Sequence, residues 1–229
     1  MVSVRSVIRR AARAVRFGAY DHRKVFEHIY SSRYWGDRES VSGVGSSLAQ
    51  TEHIREELPK LIEQFGIKTM FDAPCGDLHW MRQILDKVDI DYIGGDVVPA
   101  VVEMAAANYA GNRASFRVFD IVDDPFPDAD LWLCRDVLFH LSYAKILKSL
   151  RNFANSQIKY ILVTTHTGGS FVNRNVVTGD FRQLDLFKPP FSLPQNAVLA
   201  RFVDFAPPHN PRDMVLIRRE DIAEALREN

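Results

Sequence analysis

From residue 68 to residue 165 the chain alternates short apolar runs with helical stretches, an order that few folds accommodate. Runs at 68–73, 91–97, 114–121, 129–136 and 159–165 have strand length. The segments 78–87, 99–109 and 142–153 carry apolar residues at helical spacing, and Pro99 sits where a helix tolerates proline, in its first turn. Parallel strands need long crossovers, and right-handed crossovers lay helices over both faces of one sheet. Two further runs, 197–205 and 214–218, follow without a helix between them and read as an antiparallel pair at the sheet edge.

The flanking segments extend this core. Ser47 is a candidate N-cap for a helix over 48–65, where Leu48, Ile54, Leu58, Leu61, Ile62 and Phe65 form a stripe, Pro59 marks a kink and Gly66 the end. VSGVGSS, residues 41–47, reads as a flexible loop, and residues 220–228 as a short terminal helix. No helix fits between Thr167 and Asn196. Loops of that length in compact domains are commonly lids or binding loops, and Phe187, Phe191 and the pair Pro189-Pro190 give this one an apolar anchor. At 229 residues the chain suits one domain, 46–229 with a lid at 167–196, behind a leading segment of residues 1–45. The first twenty residues hold Arg5, Arg9, Arg10, Arg13 and Arg16 and no acid. Residues 1–18 read first as a solvated basic helix, with a weak membrane-surface contact and a transit peptide as alternatives.

Composition removes several functions. Lys+Arg 29 against Asp+Glu 29 leaves no global field for a polyanion, which disfavours extended nucleic-acid binding. Cys75 and Cys134 have no metal-ligand spacing and read as buried thiols of a reducing, cytoplasmic setting. No apolar run is long enough to span a bilayer.

Residues 69–81, TMFDAPCGDLHWM, run a buried strand into an acid and a sharp turn. Ligands of open α/β sheets bind at such strand ends. A dinucleotide site needs G-x-G-x-x-G so that a pyrophosphate can approach bare amides, yet this turn supplies Gly76 alone and follows it with Asp77. Asp96 ends the second strand, where a carboxylate can take both hydroxyls of a ribose. Asp120 ends the third, positioned to meet an adenine amine. The pattern suits adenosine without phosphates.

The series FDAPCG, YIGGDVV, FRVFDI and LWLCRDVLFHLS resembles the class I S-adenosylmethionine-dependent methyltransferases, whose first motif is usually D-x-G-C-G-x-G. Here Pro74 stands for the first glycine and Leu78 for the last. The resemblance implies a seven-stranded, mostly parallel, Rossmann-like α/β sheet with an antiparallel edge strand and helices on both faces. It places Asp72, Pro74, Cys75 and Gly76 near the methionine end of S-adenosylmethionine, Asp96 on the ribose, and Asp120 with Ile121 at the adenine. WGDRESVSGVGSSLAQTEHIREELPKL and VTGDFRQLDLFKPPFSLP are similar to segments of bacterial sugar- and polysaccharide-modifying O-methyltransferases. That finer resemblance implies a glycan hydroxyl as acceptor, with Gln50, Thr51 and Arg55 closing the cofactor pocket and Trp35 nearby.

Transfer to a hydroxyl needs a base beside the methyl group. His140, after the fourth strand, and His166, at the end of the fifth, are equal candidates, against the plainer reading of each as a structural residue. Asp136 orients one of them, holds a divalent cation with it, or merely caps a helix. Arg174, Asp180 and Arg182 in the lid suit a hydroxyl-rich acceptor. The rival readings are a methyltransferase for another small metabolite, N- or O-directed, and an idle adenosine-binding module. A homo-oligomer is left open.

Overall fold

The computed structural model describes residues 21–111, 113–205 and 210–228, so the readings of residues 1–18 fall outside the described residues. Seven strands form one sheet: β1 (Thr69–Asp72), β2 (Asp91–Asp96), β3 (Ala114–Val118), β4 (Leu131–Cys134), β5 (Tyr160–His166), β6 (Val198–Phe205) and β7 (Arg212–Arg218). Their order is β3-β2-β1-β4-β5-β7-β6. The first five run parallel, β7 pairs antiparallel with β5, and β6 pairs antiparallel with β7. The expected edge pair is present, with the later strand inserted next to β5.

The helices are α1 (His22–Ser31), α2 (Glu52–Gln64), α3 (Arg82–Leu85), α4 (Pro99–Tyr109), α5 (Tyr143–Ala154) and α6 (Arg219–Glu228). Strand side chains alternate between two apolar layers. Ile161 and Val163 of β5 with Val215 and Ile217 of β7 join α1, α5 and α6 on one face. Leu162, Met214 and Leu216 join α2 on the other. Val25, Phe26 and Ile29 of α1 belong to the first layer, so residues 21–31 are packed into the core.

Two helices begin later than the sequence pattern suggests. Ser47 does not start α2; it closes a preceding turn by accepting the Thr51 N–H at its carbonyl, 3.1 Å. The helix then runs through Pro59 and ends at Gly66, whose φ of +61° suits glycine. The helix expected over 78–87 shrinks to the four residues of α3 because Leu78 takes a left-handed φ of +55° and Asp77 turns back toward an earlier loop. The lid expected at 167–196 has no regular structure beyond the start of a 3-10 turn at Gln195, yet it is packed: Leu184, Leu186, Phe191 and Leu193 are all buried.

Candidate cofactor and acceptor site

Strand order reverses between β1 and β4, and a cleft opens at their carboxyl ends, where open sheets bind ligands. It encloses about 1110 Å³ of atom-free space including its mouth, enough for a small cofactor. Asp72, Pro74, Cys75, Gly76, Asp96, Asp120, Ile121 and Trp35 all border it.

The three strand-end carboxylates differ. Asp72 is buried and accepts the Tyr92 hydroxyl at 2.7 Å; burial pushes its carboxyl up to about 7 against that hydrogen bond. Asp96 accepts the amides of Val98, 3.0 Å, and Gly76, 3.2 Å, and burial still raises it to about 6. Asp120 would also be raised by burial, but His22 Nε2 at 2.9 Å and Arg23 Nε at 2.8 Å outweigh it and hold it at about 2. Its carboxylate, expected to face an adenine amine, is thus engaged by α1, whose His22, Phe26, Ile29 and Tyr30 wall that end of the cleft.

The loop read as flexible is pinned over the cleft. Asp77 accepts the Ser40 hydroxyl at 3.0 Å and the Val41 amide at 2.9 Å. Gly76 has φ +57°, which favours glycine, and a Cβ there would force the Ser42 hydroxyl to turn aside. Farther along, Arg135 donates to the Gly45 carbonyl at 2.9 Å. Arg135 and Arg212 both grip the buried Asp204, at 3.1 and 3.2 Å. Arg212 also bonds Asp136.

Three expectations for this region are corrected. Arg55, Gln50 and Thr51 do not border the cleft; Arg55 donates to Gln83 at 2.9 Å and to the Leu48 carbonyl at 2.8 Å, fastening α2 to the neighbouring segments. Asp136 does not suit a cation. Burial would raise its carboxyl, but Arg135 and Arg212 lie against its Oδ2 and bring it below the usual range, so its charge is already balanced by two cations. Among the described residues the one cluster with metal-ligand spacing is His22, Asp120 and Asp123, and there Arg23 already neutralises Asp120. Arg182, read as an acceptor-binding lid residue, is turned inward, 1% exposed, with its guanidinium on the carbonyls of Leu138, Phe139 and Leu141.

The histidines stand at the ends of β4 and β5 in an aromatic shell. The His140 ring lies 4.6 Å from Trp35 and 4.6 Å from Phe139, centroid to centroid, and its Nδ1 meets the Asp180 carbonyl at 3.1 Å. His166 lies 5.2 Å from Phe139 and 5.8 Å from Phe181. Its Nδ1 accepts the Leu184 amide at 3.2 Å, and its buried Nε2 has no protein partner. Leaving such a group unmade costs about 1–3 kcal/mol, which calls for a ligand or a water. Burial lowers both imidazoles to about 4, aided at His166 by Arg212, so both are neutral at physiological pH.

The residues that sequence reasoning missed are His22, Arg23, Arg212 and Asp204. No spacing announces them, because each acts on a partner far along the chain. Asp77 was visible in the turn, but its partner loop was not.

No family model matches the chain, and no curated protein matches it in sequence. Solved structures do. Magnesium protoporphyrin IX methyltransferase from Synechocystis PCC 6803, with bound SAH, is similar at a TM-score of 0.62 and 13% identity over 87% of this chain and all of that one. A SAM-dependent methyltransferase from Leishmania major gives 0.66 and 16%, covering 87% of this chain and 85% of its own. The 1,6-didemethyltoxoflavin-N1-methyltransferase of Burkholderia thailandensis, with its substrate and S-adenosylhomocysteine, gives 0.63 and 14% over 86% of each chain. Identities this low establish a shared architecture: the chain has the seven-stranded fold of these methyltransferases.

Proposed function

We propose that the protein transfers a methyl group from S-adenosylmethionine to a small-molecule acceptor, with domain 46–229 as the catalytic body, residues 21–45 as a wall of its cofactor cleft and residues 167–196 as its lid. The observation that carries this reading is Asp96: a buried carboxylate at the end of β2, bordering a cleft at the switch point, with the Gly76 turn beside it. Ionised, it can accept two ribose hydroxyls. The turn has a single glycine and an acid that fastens a loop, which suits an adenosine whose other arm is an amino acid and disfavours a pyrophosphate. Neighbours of the same fold are solved with SAM or SAH.

When bound, S-adenosylmethionine supplies an electrophilic methyl on a sulfonium. The protein's own contribution is placement. Gly76, Asp72 and Ser42 border the cleft and would hold the methionine end, and Trp35, also on the cleft wall, stands 4.6 Å from the His140 ring. Neither His140 nor His166, expected beside the methyl group, borders the cleft, and His140 lies behind Trp35; a hydroxyl acceptor remains our reading on the sequence resemblance, with Asp136 the one candidate of the three on the cleft wall. A sugar or glycan hydroxyl, implied by the segments 35–61 and 177–194, lies within it, although the inward Arg182 removes one of the groups it relied on.

Titration calorimetry tests the reading. S-adenosylmethionine and S-adenosylhomocysteine should bind, and nicotinamide dinucleotides should not. Binding of the dinucleotide alone would overturn it.

A further inference from the structure

Charge is balanced over the whole chain but divided along its length. Residues 1–38 hold nine lysines and arginines against three acids, whereas residues 39–229 hold 20 against 26. A division of this kind marks a basic arm that meets an anionic partner. The described part of the arm, residues 21–38, is fixed to the body through one set of side chains. Val25, Phe26 and Ile29 of α1 pack into the core, and His22 and Arg23 hold Asp120. Lys24, Arg33, Tyr34 and Arg38 are exposed, and Glu27 is the one exposed acid among residues 21–38. The chain leaves α1 through Arg33, at a left-handed φ of +49°. Of the two rings that follow, Trp35 borders the cleft and Tyr34 is 62% exposed.

Arg5, Arg9, Arg10, Arg13 and Arg16 precede this surface and join the body at Asp21 and His22. The acids gathered at that junction are already answered: Asp120 by His22 and Arg23, Asp123 by Lys148 and Asp124 by Arg23. The five arginines are therefore left for an anion outside the chain. Nucleic acid and an anionic bilayer both supply one, and two features favour the bilayer. Val4, Ile8, Ala11 and Val15 recur at helical spacing among the arginines, a stripe that a bilayer can receive and a phosphate backbone does not use. An exposed tyrosine beside arginine suits the membrane–water interface, where the ring is half buried and the hydroxyl stays wet. We infer that residues 1–38 form a docking surface for an anionic phospholipid bilayer, with Arg33 and Tyr34 extending it into the described structure. Valine and alanine bury little area, so the attachment is electrostatic, reversible and sensitive to salt. The acidic excess of residues 39–229 confines the contact to the arm. Because the arm joins the body at His22, on the cleft wall, docking tethers the cleft to the bilayer.

Sedimentation of the full chain with phosphatidylcholine vesicles, alone or carrying roughly one-third phosphatidylglycerol, tests this. The protein should pellet with the anionic vesicles only and be released by about 0.5 M salt. Arg9→Ser combined with Arg10→Ser should lower the partition coefficient by about 25-fold, roughly fivefold for each charge removed. Arg33→Ser combined with Tyr34→Ser should lower it by at least about fivefold. Arg151→Ser, at an exposed arginine of α5, should leave it unchanged. Melting temperatures equal to the parent's show that these variants are folded. Binding to neutral vesicles as strong as to anionic ones, or to neither, overturns the inference, and so does a loss in Arg151→Ser equal to that in the arm. Full binding by the Arg33 and Tyr34 variant overturns the extension into residues 21–38. Tighter binding to a short DNA duplex than to anionic vesicles at the same salt makes the arm a nucleic-acid contact and overturns the bilayer. None of these outcomes bears on the methyltransferase reading, which S-adenosylhomocysteine binding tests by itself.

Discussion

At the ends of β1 and β2 the cleft presents carboxylates that burial has pushed up, Asp72 to about 7 and Asp96 to about 6; at the ends of β4 and β5 the aromatic cluster beside it holds imidazoles that burial has pushed down to about 4. The same desolvation acts on both, with opposite sign because one ionises to an anion and the other to a cation. The two regions also differ in construction. The carboxylate region is a local turn, Asp72 to Asp77, paired with the adjacent strand. The imidazole region gathers Trp35, His140, His166 and Phe181 from four distant places in the chain. In the proposed function the first region would receive the cofactor, while the second stands behind Trp35, outside the cleft wall.

The largest effect should come from the carboxylate region. If Asp96 holds the ribose as proposed, Asp96→Ala would remove two charged hydrogen bonds at about 1.5–3 kcal/mol each, so calorimetry should show S-adenosylhomocysteine binding weakened by roughly 10²–10⁴-fold. Unchanged affinity would break the assignment of that region.

Glycine substitutions compare the regions directly. Gly76→Ala places a Cβ at φ +57° against the Ser42 hydroxyl, a backbone cost of about 1–2 kcal/mol with the serine turned aside on the cleft wall, and should weaken cofactor binding by about tenfold. Gly169→Ala in the lid has a similar φ, +73°, and open space around it. Melting temperature should fall slightly there, with cofactor affinity intact. Equal losses of affinity in the two variants would mean that the regions are not separable.

The opposite pKa shifts give a finer comparison. In the proposed function ribose binding uses ionised Asp96, whose carboxyl burial raises to about 6. Affinity should accordingly fall by up to about tenfold per unit as pH drops below that point. As a candidate base, His140 must be neutral to accept a proton and stays so down to about 4, so at saturating cofactor the rate should show no acid limb near the ordinary histidine value. An acid limb in turnover near pH 6.5, with flat cofactor affinity, would reverse the comparison.

How much of this was legible in the sequence follows the same division. The strands, their parallel order and the edge pair follow from apolar runs and short connections, and the cofactor-side residues sit in a contiguous motif. Helix 78–87 was overestimated because propensity does not register a carboxylate such as Asp77 turning back to Ser40 and Val41. Arg55 was misplaced because its partners, Gln83 and the Leu48 carbonyl, are known only once α2 is packed. The surroundings of His140 and His166 were closed to sequence reasoning for the same reason: the backbone group that each Nδ1 meets comes from the lid.

The smallest effect is expected at Arg55→Ala. Away from the cleft, this change should leave S-adenosylhomocysteine affinity within about twofold and cost about 1 kcal/mol of stability from its lost hydrogen bonds, read by chemical denaturation. A large loss of affinity would return Arg55 to the cofactor site.

A crystal structure of the complex with S-adenosylhomocysteine tests the central claim most directly. The account predicts both ribose hydroxyls within hydrogen-bond distance of Asp96, the homocysteine arm beside Gly76 and Asp72, and the sulfur directed toward Trp35 and His140. An adenosine bound away from Asp96, or a sulfur directed away from the histidines, would contradict it.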